Sequence, residues 1–176
     1  MDGVTRHQTA RLTLRELTLE DAPFILELLN DPSWLRFIGD RKVRTLEDAR
    51  GYLRIGPIKS YREHGFGLYL VETREPRQPV GICGLVLRPT LDGPDLGFAF
   101  TGEHSGKGYA TESGRAVVES AHREHGLPRL LAITSTDNTA SMRVLEKLGF
   151  HRIDTRVLEG ETEPVQAFAR DAPSDM

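Results

Sequence analysis

Cysteine is almost missing from this chain. Cys83 is the only one in 176 residues, which excludes an internal disulfide and a cysteine-built metal cluster. Its surroundings, Val80-Gly81-Ile82-Cys83-Gly84-Leu85-Val86, are apolar and strand-like, a setting in which a thiol behaves as a small hydrophobe. Long apolar runs are missing too, and the start, Met1-Asp2-Gly3-Val4-Thr5-Arg6-His7, lacks the apolar centre of a secretory signal. No membrane role and a cytoplasmic location are therefore expected. Charge of one sign is scarce: the net charge is only −3, which argues against nucleic acid as the main partner. His122 and His125 flank Glu124 without the His-Glu-x-x-His order or a third ligand, so no metal is expected and they read as surface residues. A Gly-x-Ser-x-Gly elbow is also absent. With no repeat, linker or low-complexity segment, residues 1–170 read as one domain, with 171–176 as a flexible tail.

What the chain does have is a glycine turn between a strand and a helix. Asp95-Leu96-Gly97-Phe98-Ala99-Phe100 reads as a strand, and Ala110, Gly114, Val117, Val118 and Ala121 recur at helical spacing. Between them lies Ser105-Gly106-Lys107-Gly108-Tyr109-Ala110-Thr111-Glu112. The first N–H groups of a helix have no internal partners, the helix dipole places positive charge there, and glycine lets a ligand approach the backbone closely. Such a turn cradles phosphate. Each bond to a charged oxygen contributes about 1.5–3 kcal/mol, so several amides together outweigh the single Lys107 charge. Two familiar phosphate loops do not fit. A nucleotide-hydrolase loop needs four residues between its first glycine and the Gly-Lys pair, then Ser or Thr, whereas Gly102 is one residue too close and Gly108 follows the lysine. A dinucleotide fingerprint wants glycine where Thr111 stands, and an acid closing the next strand.

The remaining pattern gives the order βαα-βββ-αβ-αββ. A strand runs from Arg11 to Leu17, with Leu12 and Leu14 on one face and Arg11, Thr13 and Arg15 on the other. Thr18 with Asp21, and Thr45 with Asp48, are capping boxes ahead of two helical stretches, the second of which Gly56-Pro57 should bend or split. Residues 66–71 and 80–87 are apolar on both faces and form a hairpin of central strands. A strand at 129–134, a helix opened by Asn138 and closed by Gly149, and a final hairpin of 150–158 with 165–169 complete one mixed sheet with helices on both faces.

Two stretches together, Gly106-Lys107-Gly108-Tyr109-Ala110-Thr111-Glu112 and Asn138-Thr139-Ala140-Ser141-Met142-Arg143-Val144-Leu145-Glu146-Lys147-Leu148-Gly149-Phe150, resemble the GCN5-related N-acetyltransferases. More narrowly they resemble the branch that acetylates ribosomal-protein N-termini. The resemblance spans the chain from the Leu12 strand to the closing hairpin. It implies an α/β fold with one mostly antiparallel sheet of about seven strands, and transfer of an acetyl group from acetyl-coenzyme A to a primary amine.

By that resemblance the pyrophosphate lies on the amides of Gly106, Lys107, Gly108, Tyr109, Ala110 and Thr111, and the pantetheine arm runs beside Phe98, Ala99 and Phe100, whose N–H groups polarise the thioester carbonyl. Ser105 stands where the family has Gln or Arg and this branch often Trp, a departure that leaves a backbone cradle intact. Asn138 holds the pantetheine or its local backbone, and Ser141 offers the sulfur a proton. By residue chemistry alone, Asn138 is equally an ordinary N-cap and Ser141 an ordinary first-turn residue. Asp95 is the leading base, with a carboxyl raised by burial. Glu103 and His104 are rivals, although a loop histidine is by default simply solvated. Tyr109 is expected beside the cofactor and Glu112 at the helix start, where it reads equally as an acid complementing the dipole. Trp34, Leu35, Phe37 and Ile38 border the acceptor groove or pack in the core. Expected partners are acetyl-coenzyme A and an amine acceptor, with the assembly left open to a homodimer. The alternatives are a small-molecule amine acetyltransferase, acting on an antibiotic, polyamine or amino acid, and a coenzyme A-binding module without turnover.

Overall fold

A computed structural model of the chain describes residues 2–174. Eight strands form a single sheet: β1 (Thr5–Gln8), β2 (Leu12–Glu16), β3 (Leu68–Thr73), β4 (Gln78–Val86), β5 (Asp95–Phe100), β6 (Arg129–Ser135), β7 (His151–Arg156) and β8 (Val165–Asp171). Their order is β1-β2-β3-β4-β5-β6-β8-β7, and every neighbouring pair is antiparallel except β5 with β6. The strand not foreseen is β1, a short polar edge with the burial of a loop. The closing hairpin folds back so that β8, not β7, lies against β6.

Six helices cover the two faces: α1 (Ala22–Leu29), α2 (Pro32–Phe37), α3 (Leu46–Leu53), α4 (Lys59–His64), α5 (Tyr109–Arg123) and α6 (Thr139–Lys147). Both capping boxes form, Thr18 with Asp21 and Thr45 with Asp48. Gly56-Pro57 does interrupt the second stretch, as a π-helical turn over Arg54–Ile58 between α3 and α4. One core lies beneath α5 and α6, from Leu12, Leu14 and Val71 to Val117, Leu130, Leu145 and Phe168. The other lies beneath α1–α3, with Leu17, Ile25, Leu28, Leu53, Leu70 and Ile82, while Tyr61 of α4 packs against the first. Gly114 marks the crossing of α5 and α6, since a Cβ there would sit 2.7 Å from Leu148 Cδ1.

The polar face of β2 is not a solvent face. Arg15 is buried, with its Nε 3.0 Å from Glu72 and its Nη2 2.8 Å from Asp21. This network ties β2 and β3 to the turn before α1, and a buried guanidinium persists only when it is paired this way. Cys83 is fully buried, and burial pushes its thiol up to about 12. His122, expected at the surface, is also buried, its Nδ1 2.6 Å from the Leu127 carbonyl. The last strand continues through Asp171, and the Ala172 N–H bonds to the Pro128 carbonyl at 2.8 Å, so ordered backbone extends past residue 170. Residues 175–176 of the expected tail lie outside the described residues. Among the described residues no helix is long and apolar enough to cross a membrane.

Candidate active site

The site is organised by a place where two strands part. Asp95 and Leu131 are the one registered pair between β5 and β6, with the Leu131 N–H bonded to the Pro94 carbonyl at 3.0 Å. Beyond it β5 continues through Phe100 on its β4 side alone. Backbone groups alternate edges along a strand. The Pro94 carbonyl faces β6 and the Thr101 N–H faces β4, at 3.1 Å from the Val80 carbonyl, so Phe98 and Phe100 turn their N–H and C=O groups toward the gap. Their rings pack with the core beneath α5, while Ala99 faces the core beneath α1–α3. Phe98 and Phe100 thus open their amides to the gap, whereas Ala99, expected to do the same, turns its N–H toward Ile82 of β4, because alternate residues of a strand face opposite edges.

The cradle follows at the end of the same strand. Gly106 and Gly108 adopt φ of +75° and +83°, and Gly108 stands immediately before α5. Both angles belong to the left-handed region, where a side chain costs about 1–2 kcal/mol. Among the described residues, no protein acceptor meets the N–H groups of Gly106, Lys107, Gly108, Tyr109, Ala110 or Thr111, whereas the next amide, Glu112, bonds to the Gly108 carbonyl at 3.0 Å. A Cβ on Gly106 would meet nothing within 4 Å. The approach to these amides is open, as a diphosphate requires.

Arg11 and Thr9, in the turn between β1 and β2, hold this cradle from outside. The Glu112 carboxylate accepts from the Thr9 hydroxyl, the Arg11 N–H at 2.9 Å and the Arg11 Nε at 2.7 Å. Arg11 Nη1 reaches the Lys107 carbonyl at 2.9 Å, and its guanidinium lies 4.8 Å from the centre of the Tyr109 ring. Burial works to raise the Glu112 carboxyl, and these hydrogen bonds overcome it, holding the group below its ordinary range. Glu112 is thus more than an acid near a helix dipole. Sequence reasoning missed Arg11 because its partners lie about a hundred residues away, and a strand pattern records only which face a residue takes.

On the other lip, the Asn138 side chain accepts the Ser141 N–H at 3.2 Å, the N-cap of α6. Ser141 is half-buried, and its hydroxyl has no protein partner among the described residues. Asp95 is 1% exposed, and Arg88 forks both its oxygens at 2.9 Å. Burial raises its carboxyl and the Arg88 guanidinium opposes the rise. His104 is not solvated as expected: its side chain is 11% exposed, with Nε2 3.2 Å from Glu103 and its Nδ1 sealed without a partner. Glu103 itself is exposed.

The acceptor-side residues divide. Trp34 is buried in the core beneath α1–α3, whereas Leu35 and Ile38 are exposed. Helix α2 spans both lips of the gap, because Asp31 at its N-cap accepts the Gly102 N–H at 2.9 Å and Arg36 lies 3.7 Å from Asp137, just before Asn138.

The chain that builds this cradle and half-open strand pair matches, over residues 11–151, the family model described as the acetyltransferase (GNAT) domain. The chain belongs to the GNAT acetyltransferases. It is 28% identical to the uncharacterised N-acetyltransferase YoaA of Bacillus subtilis over 82% of each chain. Among solved structures it is similar to an acetyltransferase of Agrobacterium tumefaciens, at 24% identity and a TM-score of 0.80 over 96% of this chain and 94% of that one. It is also similar in fold to the ribosomal L7/L12 N-acetyltransferase RimL in complex with coenzyme A, at 19% identity and a TM-score of 0.80 over 95% of this chain and 97% of that one. This GNAT chain is an acetyl-coenzyme A-dependent N-acetyltransferase. The residues fit that cosubstrate, because the open amides of Gly106–Thr111 match a diphosphate and the unpaired edge of β5 matches an extended amide-bearing arm.

Proposed function

We propose that this GNAT enzyme acetylates the N-terminal amine of a protein or peptide by direct transfer. The observation that carries the reading is the continuous run of unbonded amides from Gly106 to Thr111, at the end of a strand whose partner has turned away. The likeness to RimL and the Gly-Lys-Gly-Tyr-Ala-Thr-Glu and Asn-x-x-Ser stretches support the choice of acceptor. In this reading acetyl-coenzyme A supplies an activated acetyl group. The cradle amides bind its diphosphate, the N–H of Phe98 holds the acetyl carbonyl as its oxygen gains charge, and the Phe100 N–H, two residues nearer the cradle, is left for an amide oxygen of the arm.

Direct transfer needs no covalent nucleophile, which suits a chain whose lone thiol is sealed and held protonated. Asn138 fixes the first turn of α6, and in this reading the half-buried Ser141 would offer its hydroxyl to the departing sulfur. Asp95 takes the amine proton through water, using lone pairs left free by the Arg88 fork. Helix α2 forms the wall over which the acceptor enters, with Leu35 and Ile38 offering it apolar surface.

The test follows thiol release from acetyl-coenzyme A with peptides bearing free or blocked N-termini, beside polyamines, amino acids and aminoglycosides. Release with free but not blocked peptides is the expected result. Turnover confined to the small amines would replace the acceptor assignment, and tight binding with no turnover on any acceptor would favour a binding module.

A further inference from the structure

Thr134 is the penultimate residue of β6, and its side chain takes the same face of the sheet as Leu130 and Ala132, the face packed by α5 and α6. Ser141 opens α6 on that same face. Counting onward from the Asp95–Leu131 pair, Thr134 stands level with Phe98 across the gap. It is 8% exposed, and its Oγ1 is sealed from solvent without a hydrogen-bond partner. A sealed, unpartnered hydroxyl costs stability that a valine of the same shape would not, and a strand position suits valine as well as threonine. The hydroxyl therefore calls for a partner that occupies the gap itself.

We propose that the Thr134 hydroxyl donates a hydrogen bond to the thioester sulfur, so that the leaving group is held by Thr134 and Ser141 together. This rests on the reading given under Proposed function. A thioester whose carbonyl oxygen turns toward the Phe98 N–H on β5 presents its sulfur, one bond from the carbonyl carbon, toward β6, where Thr134 lies at the same level. In the step, the acceptor nitrogen bonds to the acetyl carbon, and the carbon–sulfur bond breaks with its electron pair going to sulfur. The nitrogen's proton leaves to the base, and the thiolate takes a proton from Ser141 or water. Thr134 gives up no proton; its bond strengthens as charge gathers on sulfur.

The experiment titrates the thiol of bound coenzyme A by the ultraviolet absorbance of its thiolate, in wild type, Thr134→Val and Thr134→Ser. The wild-type complex and Thr134→Ser are expected to hold the thiol below its value in free coenzyme A. Thr134→Val, which keeps the packing, is expected to raise it by about 1–2 pKa units and to lower kcat about tenfold or more, with little change in acetyl-coenzyme A affinity. A valine variant with the wild-type thiol pKa and kcat would overturn the assignment while leaving the transferase reading in place. If wild type failed to bind coenzyme A at all, the proposed function would fall and this inference with it.

Discussion

Gly108 carries two constraints at once: its φ of +83° is one that side chains avoid, and a Cβ there would come 3.2 Å from Arg11 Nη2. Gly108→Val is therefore expected to turn amides out of the cradle and weaken coenzyme A binding by about tenfold or more, since each lost bond to a charged oxygen is of that order. Calorimetry reads the affinity and a thermal melt confirms the fold; unchanged affinity would contradict the cradle. Glu112 gives a pH prediction. Its carboxyl is held below the ordinary 4.5, so its contribution to stability is present above that value and is lost as pH falls through the depressed one. The melting-temperature gap between wild type and Glu112→Gln should close on acidification below pH 4.5, and a gap independent of pH would exclude the coupling. The glycines were legible because their chemistry is local. Arg11 was not, because a guanidinium under Lys107 and over Tyr109 is created only when the β1–β2 turn meets α5.

At the scale of elements, the parting of β5 and β6 and the span of α2 define the site more than any one side chain. Helix α2 is only six residues long, too short to persist without anchors. Asp31 supplies the main one, accepting the Ser33 N–H at 3.0 Å and the Gly102 N–H at 2.9 Å. The Arg36–Asp137 pair is exposed and contributes little by comparison. Asp31→Ala should cost about 1 kcal/mol as a lost cap and, by freeing α2 from the lip, raise the acceptor KM several-fold with coenzyme A affinity held. Loss of coenzyme A affinity with the acceptor KM unchanged would show that α2 supports the cofactor and not the acceptor. Strand-helix alternation made seven strands legible, and the capping boxes marked two helix starts. The β1 edge escaped because Thr-Arg-His-Gln shows no apolar alternation and is held by its pairing to β2; α2 escaped because its helical spacing of Trp34, Phe37 and Ile38 covers barely one turn after Asp31-Pro32, and its ties to the lips hold it.

Across the whole molecule, two cores on opposite faces of one sheet hold its two middle strands, β4 and β5, in place, and β5 and β6 share a single registered pair, Asp95 with Leu131. That division sets α5 and α6, the proposed cofactor side, on one face and α1–α3, the proposed acceptor side, on the other. The sequence showed which segments were apolar on both faces but not how the strands would be ordered, and the insertion of β8 beside β6 follows from long-range pairing that no local pattern encodes. The central claim is that main-chain amides at the start of α5 grip the diphosphate while the arm lies along β5. Its most direct test is a titration of the 15N-labelled protein with coenzyme A, read by amide chemical shifts. The account predicts that the amides of Gly106 through Thr111 shift together with those of Phe98 and Phe100, while those at the far end of α5 near Arg123 stay in place. Saturable binding that left Gly106 through Thr111 unmoved would contradict it.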